Sequence, residues 1–407
     1  MFSRLSCASP LIDIALAWMG CGRGKMMAKI VILGSGFAGL TAAVRLNRRL
    51  PDARHEVLVI DRSTTFVYRP SLVLVAFGHK PARDVTFDLV STYHRLRIPF
   101  LHAEVKEVEP QSKTVLTSHG PIAYDKLIVA MGEKLAVEEV PGMAEYGHNV
   151  CSLRGAMRLK EALETWNGGP TVIGWSQFVQ TGGPAFEVAV ELRRWMTKRG
   201  WNTPIHFIDP LPKIWAPAGP EASQFMQQLF DDRQIVRHGP VQVQAVECDR
   251  VVLTNGEVLP STLTIVTPPF RGVEAQRSIA GNHKRDWLET GRDMQSVQFP
   301  DIYVTGSATA FEGPKQAHTA MMQAEIAVDN VVVDLQRAPS VHREYAHEMS
   351  CVLDLGQGQG LFVKKSLWSD DHQVARVGRQ WPVAKAALAY TYVKTPVFKR
   401  WGFLVPQ

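Results

Sequence analysis

A chain of 407 residues is longer than one ordinary hydrophobic core organises, so two or more domains are expected. Hydrophobic residues make up 45% and charged residues 21%, the balance of a globular protein, and no apolar run is long enough to cross a bilayer as a helix. The net charge of +6 matches that of the segment from Lys364 to Gln407, with its eight Lys or Arg and two Asp, so the rest of the chain is neutral and a uniformly basic, nucleic-acid-binding surface is excluded.

Residues 1–26 have the order of a signal peptide, with a basic residue and then an apolar stretch. Asp13 interrupts that stretch, and no small-residue cleavage site follows it cleanly. A disordered extension is expected, which leaves Cys7 and Cys21 without a role. Of the five cysteines (with Cys151, Cys248 and Cys351) none forms a CxxC, and no Cys/His cluster has zinc spacing. A dense disulfide framework and a metal site are therefore not expected, and any single thiol is free to be chemical.

Lys29–Leu33 is a short apolar, β-branched run that reads as a buried parallel strand. Gly34-Ser35-Gly36-Phe37-Ala38-Gly39 follows at once, then a helix-spaced stretch, Leu40–Leu50, then a second strand, HEVLVID, ending in Asp61. Gly34 permits the tight turn, Gly36 lets backbone approach a pyrophosphate, and Gly39 lets helix and strand pack closely. The helix N-terminus offers free N–H groups to phosphates, and Asp61 can accept from a ribose hydroxyl. Strand, turn, helix and acid in register predict a dinucleotide site; alone they do not separate FAD from NAD. Further on, IAYDKLIVAMG (122–132) reads as a strand ending in small residues.

Pro170–Arg194 again reads as strand, turn and helix, but the turn is not GxGxxG. Trp175, Ser176, Gln177 and Phe178 stand where an NADH pyrophosphate needs bare backbone. A second nucleotide fold whose nucleotide site is lost is expected, with electrons entering from a small donor placed at the cofactor of the first site. VECDRVVL around Cys248 reads as a structural strand. DIYVTGSATAF (301–311) reads as a strand and a Gly turn, and GPKQAHTAMMQAEIAVDNVV as a helix opened by Gly313-Pro314-Lys315. Trp381, Tyr390, Tyr392, Phe398, Trp401 and Phe403 interleave with the basic residues of the tail. This pattern suggests an anionic membrane surface; the alternative is a solvated helix whose aromatics complete a core.

With GSGFAGL, Pro70 in FVYRPSLVLVAFG, EEVPG, GPAFE (183–187), IVTPPFRG, GPK, CVLDLGQGQGLF (351–362) and WPVAKAAL, the chain resembles the sulfide:quinone oxidoreductase family over nearly everything from Met27 to the tail. The resemblance implies an α/β fold of two Rossmann-like domains with a C-terminal, membrane-associating region. The FAD domain would span 27–138 and 299–338, the second domain 139–298, and the quinone- and membrane-associated region 339–407. It implies FAD held at Gly34, Gly36, Phe37, Ala38, Gly39, Asp61, Arg62, Pro70, Val105, Ala130, Met131, Gly132, Gly306, Ser307 and Lys315. The helix starting near Pro314 would point its N-terminus and Lys315 at the flavin pyrimidine. Quinone would meet Lys315 and Phe362. Cys351, Cys151 and Glu187 would be the catalytic candidates, a small reduced-sulfur compound the donor, and the inner membrane of a prokaryote the place of peripheral attachment. A homo-oligomer is left open.

Two family positions differ. The cysteine usual before GPA-[YF]-E is Thr181, and the histidine four residues after the first cysteine is Gly155. Three readings follow: Cys351 acts alone as a persulfide carrier, Cys151 pairs with Cys351, or the donor is not sulfide.

Overall fold

The computed structural model describes residues 28–50, 55–179, 182–336, 341–369 and 373–394. The N-terminal extension, Thr181, Phe398, Lys399, Arg400, Trp401 and Phe403 lie outside the described residues.

The chain opens with strand β1 (Ala28–Leu33), helix α1 (Phe37–Arg49) and strand β2 (His55–Asp61). Ile30, Val31, Ile32 and Leu33 are all fully buried, as expected of a parallel strand covered on both faces. Ile30 and Ile32 pack among residues of α1, whereas Val31 and Leu33 pack with Val108, Val115 and Ile122 of a three-stranded antiparallel meander. β3 (Phe100–His102) lies beside β2, and β4 (Lys126–Val129) beside β1, both parallel.

A second parallel sheet is built from β5 (Gly147–His148), β6 (Thr171–Trp175), β7 (Ile205–Ile208), β8 (Ile235–His238) and β9 (Leu263–Thr267), in the order β5-β9-β6-β7-β8. Helices α2 (Leu153–Thr165) and α3 (Gly183–Thr197) belong to it. The chain then returns to the first sheet: β10 (Ile302–Val304) adds beside β4, giving the order β10-β4-β1-β2-β3. Helix α4 (Ala317–Gln336) follows and packs on α1, where the Arg45 guanidinium donates to both oxygens of Asp329, at 2.9 Å each. The fold is thus mixed α/β with two parallel, Rossmann-like sheets.

An antiparallel sheet ends the described chain: β11 (Glu348–Asp354), β12 (Gly360–Ser366) and β13 (Gln373–Gly378). Helix α5 (Gln380–Lys394) lies against it.

Several local readings are corrected. The stretch 122–132 is not one strand, because Tyr124 and Asp125 break it; the Asp125 carboxylate turns to accept from the Lys29 N–H of β1 at 2.7 Å. Cys248 is exposed in the turn between two short strands rather than within one. The helix expected from Pro314 starts at Ala317. The tail helix is not amphipathic in the simple sense. Ala389, Tyr392 and Val393 are buried, yet Val383, Leu388 and Tyr390 are exposed.

Candidate functional site

The glycine turn between β1 and α1 is shaped by backbone contacts. Gly34 has φ +95°, and a Cβ there would lie 2.4 Å from the Ala130 carbonyl oxygen. A Cβ at Gly39 would lie 1.8 Å from the Gly34 oxygen, so helix and strand touch where only hydrogen fits. Gly36 is the exception: a Cβ there would meet nothing within 4 Å. Gly36 caps α1 without any side-chain cap bond, so the N-terminus of α1 opens onto free space. Asp61, at the end of β2, accepts from the Ser35 N–H at 2.5 Å and from the Ser63 N–H at 2.8 Å, and so pins the turn. Its burial raises its pKa against those two bonds.

The other expected cofactor residues stand at strand ends and in turns. Ala130, Met131 and Gly132 follow β4, and Gly132 has φ +75° with open space at its Cβ position. A Cβ at Gly306 would lie 3.2 Å from the Ala38 methyl and 3.4 Å from that of Ala320, the Gly306 N–H donates to Gln323 Oε1 at 2.7 Å, and Ser307 follows in the same short turn. Pro70 sits in a 3-10 turn beside Arg69, which is ion-paired to Glu133. Phe37 packs edge-on to Phe66. Arg62 is exposed, and Val105 begins the antiparallel meander, half-buried. The Thr305 hydroxyl beside Gly306 is buried without a partner. A bare helix N-terminus, open space at Gly36 and Gly132 and an orphaned hydroxyl fit a bound dinucleotide.

The second turn has the opposite character. Trp175 is 3% exposed and packs edge-on to Phe186 and Phe207. A Cβ at Gly182 would lie 2.9 Å from its ring. At the start of α3, a Cβ on Gly183 would meet Leu353 and the Cys351 sulfur, so β11 covers the end that would cradle a pyrophosphate. The acid at the end of β7, Asp209, is fully buried and bound to Arg237 Nε at 3.0 Å and to the Leu211 N–H at 2.9 Å. Phe178, with φ +59°, lies under the Arg285 guanidinium, 4.2 Å from the ring centre. Wall, floor and acid of a nucleotide site are therefore occupied by protein.

The thiols fall into two surroundings. Cys351, on β11, faces the start of α3. Burial pushes its thiol up to about 12; the Lys385 charge opposes this and the Glu187 charge adds to it. Glu187, 7% exposed, accepts from the Asp354 N–H at 2.8 Å and pairs with Lys385 of α5. Cys151 is likewise pushed up to about 12 by burial, against a hydrogen bond with Thr267 and the charge of Arg69. Both thiols are free in this structure. At Gly155 a side chain has no room: a Cβ would lie 2.7 Å from the Asn149 carbonyl oxygen, and the Gly155 N–H is bound by Ser152 at 3.0 Å. The family's histidine is thus excluded by the cap of α2.

Lys315 does not lead α4. Its ammonium turns back to the Thr309 and Phe311 carbonyls, 5.0 Å from the centre of the Trp287 ring. Burial lowers its pKa to about 7, against the pull of Glu133. Phe362 stacks on Trp381 at 4.6 Å, and the Trp381 indole N–H is buried without a partner. Sequence reasoning missed Asp209 and Lys385. A strand-terminal acid in IHFID was a signal for the first; for Lys385 only the fold brings α5 to α3.

The model of the pyridine nucleotide-disulphide oxidoreductase family matches residues 28–324. The chain is 28% identical over 364 residues to a sulfide-quinone reductase of Aquifex aeolicus, covering 83% of each. It is 22% identical over 359 residues to a type II NADH:quinone oxidoreductase of Staphylococcus haemolyticus, covering 82% of this chain and 89% of that one. The solved sulfide:quinone oxidoreductase from Aquifex aeolicus superposes with a TM-score of 0.85 at 24% identity, covering 93% of both chains. NDH2 from Plasmodium falciparum in complex with NADH gives 0.71 at 14% identity, covering 92% of this chain and 96% of that one.

Proposed function

The chain belongs to the pyridine nucleotide-disulphide oxidoreductase family, and from that premise we propose that it oxidises a small reduced-sulfur donor and reduces a membrane quinone. It is an FAD-dependent oxidoreductase of the sulfide:quinone oxidoreductase-like type. FAD would be held by the turn Gly34–Gly39, by Asp61 and by the segments at Ala130–Gly132 and Gly306–Ser307. When bound it supplies a two-electron acceptor for the donor and a two-electron donor for the quinone.

The observation that carries the donor reading is the filled second turn. Trp175 and β11 occupy the space a nicotinamide dinucleotide would need, and the buried Asp209 is already paired. The donor must then be small and reach the flavin elsewhere. Cys351 is the nucleophile best supported. Joining its sulfur to a donor sulfur forms one S–S bond and releases two protons and two electrons, and Glu187 is the nearby base. Without a partner thiol, an external acceptor must take the sulfur away. On the acceptor side, Phe362, Trp381 and Lys315 are the residues proposed to meet quinone. The exposed Val383, Leu388 and Tyr390 of α5, with the basic tail, support peripheral attachment to the inner membrane of a prokaryote.

Anaerobic stopped-flow bleaching of the flavin tests this reading. Sulfide or a related sulfur donor bleaches the wild type and leaves Cys351→Ser oxidised, and NADH is ineffective with both. Rapid bleaching by NADH, or wild-type bleaching of Cys351→Ser by every sulfur donor, overturns it.

A further inference from the structure

The C-terminal sheet separates two chemistries. On the face turned to the core, Met349, Leu353, Leu361 and Val363 are buried, and Cys351 belongs to this set by strand alternation. On the opposite face the register sets Val352 beside Phe362 and Ser350 beside Lys364, with Glu348 next along β11. That face carries the Phe362–Trp381 stack. The start of α4 is tied to the same edge, because the Ser350 N–H donates to Gln316 Oε1 at 3.2 Å.

A chain of ionisable groups runs along this face. His318 Nε2 and Glu348 Oε1 are 2.7 Å apart, and Glu348 Oε2 lies 3.4 Å from Lys364 Nζ. Side-chain exposure rises outward, from 17% at His318 through 21% at Glu348 to 39% at Lys364. Its inner end is three residues from Lys315, on the segment that leads into α4.

We propose that His318 and Glu348 carry protons from water to the quinone, with Lys364 holding the outer end of Glu348; this rests on the quinone reading above. Quinone needs two electrons and two protons to become quinol. FAD, when bound, would supply the electrons. The proton shared between His318 Nε2 and Glu348 Oε1 goes to a quinone oxygen, and water beside Lys364 reloads the pair for the second. The inner face of the sheet, where sulfur oxidation releases protons, stays separate from the face where quinone reduction consumes them.

The test uses reduced holoenzyme, reoxidised anaerobically either by a short-chain ubiquinone or by ferricyanide, which takes electrons and no protons. A pH-indicator dye records proton uptake alongside flavin absorbance. In Glu348→Gln, quinone-driven reoxidation and proton uptake slow by about a hundredfold, whereas the ferricyanide rate changes by less than about twofold. His318→Gln gives the same split and keeps the test open if one variant fails to retain FAD. Wild-type quinone rates in both variants, or equal slowing with both acceptors, overturn the relay and leave the quinone reading intact. If the wild type itself is reoxidised by ferricyanide and not by quinone, the quinone reading fails and the relay with it.

Discussion

Gly36→Ala separates the fold of the glycine turn from its cofactor. Gly36 has φ −70°, which alanine adopts freely, and nothing stands within 4 Å of the place its methyl would take. Restricting the unfolded chain favours alanine by about 0.4–1 kcal/mol. Losing glycine at an N-cap costs about the same. The two offset, so the apoprotein should keep its stability to within about 1 kcal/mol. FAD bound over the turn would meet that methyl, and overpacking of one group against a ligand costs about 1–3 kcal/mol, which is a rise in Kd of about 5- to 150-fold. Gly39→Ala is the contrast, since its methyl would lie 1.8 Å from the Gly34 oxygen and must push α1 off β1. Denaturant unfolding of the apoproteins and fluorescence titration with FAD measure both effects. Wild-type FAD affinity in Gly36→Ala would show that the pyrophosphate does not lie over Gly36. A stability loss well above 1 kcal/mol would show that the space there is not open.

Lys385→Met leaves the Glu187 carboxylate buried and unpaired, which should cost roughly 3–5 kcal/mol in denaturant unfolding, with part recovered in the double variant Glu187→Gln/Lys385→Met; an unchanged midpoint would mean the pair is not buried in solution. The Cys351 thiol, pushed up to about 12, is mostly protonated at neutral pH, so its alkylation by iodoacetamide, followed by mass spectrometry, should rise about tenfold per pH unit from pH ~7 to ~10. A plateau below pH ~8 would place the thiol in a far more stabilising environment than the one described. Val383→Ser/Tyr390→Ser removes two side chains of α5 that are 69% and 63% exposed; cosedimentation with anionic vesicles should fall several-fold while FAD stays bound, and undiminished binding would move the attachment elsewhere.

The flavin half was legible because its signals are local. Gly34, Gly36, Gly39 and Asp61 lie within one strand–turn–helix–strand unit, where each residue type answers a contact with its own neighbours. The bulk in the second turn was legible for the same reason, since Trp175 stands in the sequence where a GxGxxG turn has bare backbone. The proposed sulfur half was not local. Gly155 shows as a missing histidine in sequence, but only the Asn149 and Ser152 contacts show that no side chain fits there. Lys385 is one basic residue among eight in the tail until α5 lies against α3. The start of α4 was misread by three residues because Pro314 permits a helix start without requiring one, and the Lys315 ammonium bonds to the Thr309 and Phe311 carbonyls instead.

The tail is the part whose role changes most between sequence and structure. Read as a basic, aromatic strip, it is an appendage that can be removed without touching the flavin. In the fold, α5 is built into both halves of the site. Lys385 reaches Glu187 beside Cys351, and Tyr392 packs within 5.0 Å of Phe37 at the start of α1, ring centre to ring centre, with Phe66 and Tyr68 around it. The exposed side of the same helix carries Val383 and Tyr390. One element thus connects the proposed membrane face, the buried acid near the thiol and the turn that would hold FAD. Deleting it would disturb all three together, which is why the membrane role is separable only by changing the outward side chains and leaving Lys385 and Tyr392 in place.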